Sequence, residues 1–219
     1  MITLHHVPLA RSFRVLWLLE ELGLDFELRY YSIRDGTLRA PGFLALSPAG
    51  RVPVLEHHGD VWVESAAIVQ LLCETYPQAG LAPAPGEADR ARYLEMLSYS
   101  ETVGCLLENL NLNQVFLRPP ARPSVPVVKL LTARLRAALG AMETRISGPH
   151  LLPSGFSAAD IMFAYSFELA RYYVDLSAWP RLTAYRDGLR KRPAYIRAKA
   201  RDGEQDIYTQ EFYPIPEDL

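Results

Sequence analysis

Two hydrophobic periods alternate through the first third of the chain, and only one of them persists afterwards. Ile2 to His5 is a run of strand length. From Arg11 to Leu22 the apolar positions recur at helical spacing, with Val15, Leu16, Leu18, Leu19 and Leu22 on one face. Ser12 stands where a cap belongs, and Gly23 lies just past the last apolar position. Phe26 to Tyr31 alternates apolar and polar residues, as a half-buried strand does. A strand-helix-strand unit of this kind favours parallel pairing through a right-handed crossover. Arg34 to Pro48 is mixed and holds either a short helix or an irregular loop. Val52–Glu56 and Val61–Val63, joined by His57-His58-Gly59-Asp60, predict an antiparallel hairpin, and Ser65 to about Tyr76 predicts the helix that closes the unit.

The run from Pro77 to Gly86 contains three prolines and two glycines and cannot continue that helix. It marks a domain boundary, dividing the chain into 1–79 and 87–219. Beyond it the period is helical throughout. Glu87–Phe116 is one long helix, broken by Pro119, Pro120, Pro123 and Pro126. Val127–Ile146, Ala158–Tyr172 and Arg181–Arg190 follow, with a short fifth helix at Ala194–Ala200. The fold class expected is therefore an α/β domain followed by an all-α domain.

Composition narrows the function classes. The 219 residues are 49% apolar, enough for a substantial core, and the formal charge of −2 gives no reason to expect nucleic acid or an anionic membrane as partner. No apolar run approaches the roughly 20 residues that span a bilayer, and no secretory signal is visible at the N-terminus. Cys73 and Cys105 are far apart and read as small apolar residues inside helices, which suits a reducing cytosol. Five histidines and two cysteines show no metal-ligand spacing, so no metal is expected. Ser157-Ala-Ala-Asp160 is a helix-capping box with Asp in the place of Glu or Gln, a structural motif.

Four segments, by their order and spacing, carry a family resemblance. They are Arg11-Ser-Phe-Arg-Val-Leu-Trp-Leu-Leu-Glu-Glu-Leu-Gly23, Ser47-Pro-Ala-Gly-Arg-Val-Pro-Val-Leu55, Glu64-Ser-Ala-Ala-Ile68 and Phe156-Ser-Ala-Ala-Asp-Ile161; the closing Arg192-Pro-Ala-Tyr-Ile-Arg197 adds to them. Over nearly its whole length the chain resembles the cytosolic glutathione S-transferases, in particular the bacterial and fungal, theta- and beta-like members. The resemblance implies a thioredoxin-like N-terminal domain, an all-helical C-terminal domain, a homodimer, a cytoplasmic location and glutathione as co-substrate. The reaction implied is attack of the glutathione thiolate on a small apolar electrophile.

Site roles follow from that resemblance, residue by residue. It implies a cis bond at Val52-Pro53, with the Val52 main chain pairing with the cysteinyl part of glutathione; a trans proline opening an edge strand is the plain alternative. Glu64 receives the γ-glutamyl ammonium, and Ser65, at a helix entrance, donates to the neighbouring carboxylate; an ordinary cap beside a solvated acid is the alternative. Arg39 and Arg51 are candidates for the glycine carboxylate. The family's catalytic Ser or Cys aligns with Ala10, which has no donor. Because a free thiol has a pKa of about 8.5, thiolate formation then rests on Ser12, Arg11 or the backbone at the start of the first helix. Tyr99 and Phe116, with the tail aromatics Tyr208, Phe212 and Tyr213, are candidate walls of an electrophile pocket between the domains. Two rivals accompany this reading: a non-catalytic glutathione-binding or scaffolding protein, and a glutathione-dependent disulfide or peroxide reductase.

Overall fold

The computed structural model describes residues 1–217; Asp218 and Leu219, the end of the expected helical domain, lie outside the described residues. The chain divides into two compact units. The first comprises Met1–Arg90 and Arg190–Ile207, and the second comprises Ala91–Leu189 and the tail from Tyr208.

The first unit is built on four strands, β1 (Ile2–His6), β2 (Phe26–Tyr30), β3 (Val54–His57) and β4 (Asp60–Val63), in the order β2-β1-β3-β4. β1 pairs parallel with β2, Ile2 opposite Phe26, and antiparallel with β3, Leu4 opposite Leu55. β3 and β4 form the expected hairpin. Its helices are α1 (Ser12–Leu22), α2 (Pro41–Leu46) and α3 (Ser65–Thr75). The segment before α2 contains a 3₁₀ turn at Thr37–Arg39, so Arg34–Pro48 is part helix and part loop. Gly23 ends α1 in the left-handed conformation, φ 64°, and its N–H returns to the carbonyls of Leu19 and Glu20.

α1 is more deeply set than its one apolar face predicts. Every residue from Ser12 to Glu20 is buried, because a late helix of the same unit, α8 (Pro193–Asp202), packs along it. Arginines of this segment reach acids that would otherwise be stranded. Arg192 makes two bonds to Glu21, at 2.7 and 2.8 Å, while Arg197 and Arg201 each reach Glu20 at 2.8 Å. The sequence division at residue 87 assigned this helix to the all-α part; contacts group it with the sheet.

The second unit consists of α4 (Arg90–Leu110, whose first residue belongs to the other unit), α5 (Val125–Arg145), α6 (Ala158–Ala170) and α7 (Pro180–Leu189). α4 continues as a π turn over Asn111–Val115. Pro126, read as a breaker, sits in the first turn of α5, where its missing N–H costs nothing. α6 is buried on almost every side, which is why its apolar residues show no single stripe. Its capping box forms as expected: Asp160 accepts from the N–H of Ser157 at 2.8 Å. Asp160 also accepts from Leu151 N–H and the Tyr185 hydroxyl, at 2.8 and 3.0 Å. Burial raises its pKa, and these hydrogen bonds pull the other way. Cys73 and Cys105 both lie inside helices as expected, in α3 and α4; Cys73 is buried and Cys105 is exposed.

Candidate functional site

A cavity of about 120 Å³ opens in the first unit. Three segments line it: Arg11 ahead of α1, the loop from Ser47 to Pro53, and Val63-Glu64-Ser65 where β4 turns into α3.

The loop owes its shape to Ser47 and Gly50. Gly50 N–H closes a turn onto the Ser47 carbonyl at 2.8 Å. The Ser47 hydroxyl donates to the Arg51 carbonyl at 2.9 Å and accepts from Arg51 N–H at 3.2 Å. Gly50 has φ 63°, and a Cβ there would lie 2.9 Å from both the Leu38 carbonyl and an Arg39 guanidinium nitrogen. Only glycine suits this position, on both counts. Arg39 thus packs against the turn but is not among the residues lining the cavity, whereas Arg51 is. The Val52–Pro53 bond is cis, the alternative that the resemblance implied.

Glu64 and Ser65 form the other wall. Glu64 is exposed and has φ 70° and ψ 110°, a conformation that non-glycine residues rarely hold. The first bond of α3 runs from Ile68 N–H to the Glu64 carbonyl at 2.9 Å. No side chain caps the helix. The first turn of α3, with its uncapped N–H groups and the positive end of the helix dipole, therefore starts beside the cavity that Glu64 and Ser65 line. Ser65 is almost wholly buried, and its Oγ accepts from Nη1 of Arg14 at 3.0 Å. Since that bond uses a lone pair, the hydroxyl hydrogen remains to be donated. Arg14, fully buried on α1, was not among the expected site residues. The signal for it was an arginine placed among the apolar residues of a helix.

Ser12 does not line the cavity. It is fully buried, and its Oγ lies 2.8 Å from Nδ1 of His6 and accepts from Val7 N–H at 3.2 Å. It is neither a helix cap nor a donor facing the cavity; the Ncap of α1 is Arg11, without a side-chain cap bond. His5 and His6 are fully buried and hydrogen-bonded, His5 to Glu56 and Tyr31, as structural histidines are. Of the two side chains proposed for thiol activation, the structure brings Arg11 to the cavity. The N–H groups of Ala10, Phe13 and Arg14 are bonded to the carbonyls of Val7, Ala10 and Arg11, which narrows the backbone's share.

The remaining expected residues belong to the second unit. The Tyr99 hydroxyl donates to the Ala138 carbonyl at 2.8 Å, tying α4 to α5. Phe116 is half-buried just past the π turn. Tyr208 and Tyr213 are buried, with Tyr208 stacked on Tyr172 at 3.6 Å between centroids, so these two tail aromatics are packing residues of that unit. Phe212 is exposed. Among the described residues no helix is long and apolar enough to cross a membrane.

Comparison with known proteins matches residues 10–75 to the glutathione S-transferase N-terminal domain and residues 119–188 to the C-terminal domain of the same family. A maleylacetoacetate isomerase of Pseudomonas aeruginosa is 32% identical over 194 residues, covering 85% of this chain and 90% of that protein. Glutathione S-transferase 3 of Schizosaccharomyces pombe is 28% identical over 209 residues, covering 89% of this chain and 85% of the relative. The crystal structure of a glutathione transferase from Methylococcus capsulatus superposes with a TM-score of 0.81 at 29% identity, over 92% of this chain and 98% of that one.

Proposed function

Because the chain belongs to the glutathione S-transferase family, with its thioredoxin-like first unit and helical second part, we propose that the cavity of the first unit binds glutathione and that the enzyme directs the bound thiolate at a small apolar electrophile. The observation that carries this reading is the meeting of Arg11, Arg51, Val52, Glu64 and Ser65 around one cavity, from three separate segments.

Each part of the tripeptide has a counterpart. The γ-glutamyl carboxylate sits at the start of α3, where the Ser65 hydroxyl and the first N–H groups donate to it. Glu64 accepts from the ammonium. The cysteinyl main chain pairs with Val52 as an added strand. Arg51 answers the glycine carboxylate, with Arg39 behind the same turn. Arg11 supplies positive charge near the thiol, lowering its pKa toward neutrality. The thiolate sulfur then forms a bond to an electrophilic carbon, and the displaced electron pair leaves with the departing group or takes up a proton. Tyr99 and Phe116 remain proposed contributors to the electrophile side. A homodimer in the cytoplasm, with no metal, completes the reading.

Ala10 favours one rival, a glutathione carrier without turnover, because it offers no side-chain donor at the position to which the resemblance assigns the family's catalytic Ser or Cys. Calorimetric titration with glutathione, followed by ultraviolet titration of the bound thiol, separates the two. A bound thiol that ionises below about 8.5 supports the transferase. Tight binding with an unshifted thiol supports the carrier, and no binding refutes both.

A further inference from the structure

The C-terminal end of α8 reaches back to the turn that leads into α1. That turn runs Val7-Pro8-Leu9-Ala10, closed by Ala10 N–H to the Val7 carbonyl at 3.1 Å. Leu9 holds φ 62°, in the left-handed region that such turns normally give to glycine or asparagine. Something must hold a leucine there. Asp202, the last residue of α8, is 1% exposed, and its Oδ1 accepts from Leu9 N–H at 3.0 Å. His6 Nε2 lies 3.0 Å from the Asp202 carbonyl and 3.2 Å from Oδ1. The other ring nitrogen of His6 meets Ser12 Oγ at 2.8 Å, inside the first turn of α1. Lys199 holds the second carboxylate oxygen at 2.6 Å. Gly203, next in the chain, packs so closely on Pro8 that a Cβ would come within 3.2 Å of the proline ring. One acid therefore grips the turn from both ends, through Leu9 on one side and through His6 and Ser12 on the other.

We propose that Asp202 is a positioning residue for the glutathione site, holding the Val7–Ala10 turn and the start of α1 in the geometry that brings Arg11 to the cavity. The inference rests on the function proposed above. Arg11 is the residue directly after this turn and the one part of α1's entrance that lines the cavity. The anchors for the tripeptide itself, Val52, Glu64 and Ser65, lie on other segments. Loss of Asp202 thus separates thiol activation from binding.

The test uses Asp202→Asn and Asp202→Ala in the full chain. Asparagine keeps the size but offers a single acceptor where Leu9, His6 and Lys199 need several. Expected is a glutathione Kd within about threefold of wild type, which is less than one lost charge-assisted bond. Turnover of a small aryl halide falls about ten- to a hundredfold, the upper figure being the cost of misplacing a group by about 1 Å. The bound thiol titrates at higher pH, and amide exchange quickens at Leu9 and Ala10. Leu9→Gly supplies the internal control: with glycine at φ 62° the turn needs less holding, so Asp202→Asn in that background costs markedly less turnover. Altered melting temperature with an unchanged thiol titration and unchanged turnover assigns Asp202 to stability alone and overturns the inference, while wild-type glutathione binding leaves the proposed function standing. Failure of the wild type to bind glutathione overturns both.

Discussion

Replacement of Glu64 splits into two effects of opposite sign, and the structure gives a magnitude for each. Its carboxylate stands exposed beside the cavity while its backbone holds φ 70° and ψ 110°. A charge-assisted hydrogen bond to the γ-glutamyl ammonium contributes about 1.5–3 kcal/mol. Exposure and salt screening favour the lower end. Glu64→Ala should therefore weaken glutathione about tenfold, less at high salt, and Glu64→Gln should lose part of that. The backbone term shows in Glu64→Gly against Glu64→Ala, since neither keeps the carboxylate. Holding a non-glycine residue in this conformation costs about 1–3 kcal/mol, and glycine returns about 0.5–1 kcal/mol of that as chain entropy. The glycine variant should be the more stable of the two by about 1 kcal/mol, or roughly 2–4 °C in Tm for a chain of this size. Calorimetric titration at two ionic strengths and thermal melts of the three variants provide the assay. An alanine variant that binds glutathione within twofold of wild type, or a glycine variant that melts below the alanine one, refutes the reasoning.

Other outcomes follow from the same geometry. Arg11→Met should raise the pKa of the bound thiol by about one unit, the effect of losing a nearby cation, with the Kd nearly unchanged; ultraviolet titration reads this directly. Ser12→Ala should cost about 1–3 kcal/mol of stability in chemical denaturation, because His6 and the Val7 N–H lose a buried partner; a variant of full stability that has lost its thiol shift would instead return Ser12 to the chemistry. Asp160→Ala removes a cap and two further buried bonds, and should cost about 2–4 kcal/mol. Asp202 gives a pH dependence. Burial raises its pKa, but the bonds from His6, Leu9 and Lys199 outweigh it and the net shift is downward. A carboxylate with a depressed folded pKa stabilises above its unfolded value of about 3.9 and loses that contribution as pH falls through the folded one. Acid melts should show Asp202→Asn losing less stability than wild type below about pH 4.

Much of this molecule was legible because its signals are local. The spacing of Val15, Leu16, Leu18 and Leu19 defines α1, Gly23 ends it, and the hairpin and the Ser157–Asp160 box follow from turn and cap chemistry. The groups around the cavity were legible through the order of short motifs, and Arg11, Arg51, Val52, Glu64 and Ser65 all reach it. What escaped depends on chain returning from far away. Burial of α1 from Ser12 to Glu20 requires α8, more than 170 residues later, with Arg192 and Arg197 on Glu21 and Glu20. The burial of Ser12 depends on His6, whose orientation no periodicity encodes, and Asp202 is invisible as a partner of Leu9 until the two are brought together. Both cysteines lie inside helices as read, but which of them is buried was not encoded, because a small apolar residue on a helix carries no mark of which side faces solvent.

The account's central claim is that one cavity in the first unit holds an extended tripeptide by charge at one end and main-chain pairing in the middle. A crystal structure of the protein grown with glutathione tests it most directly. Predicted is density for γ-Glu-Cys-Gly with its first carboxylate on Ser65 and the N–H groups of α3, its ammonium at Glu64 and its cysteine paired with Val52. A cavity left empty under saturating glutathione, or a tripeptide bound on other residues, contradicts it.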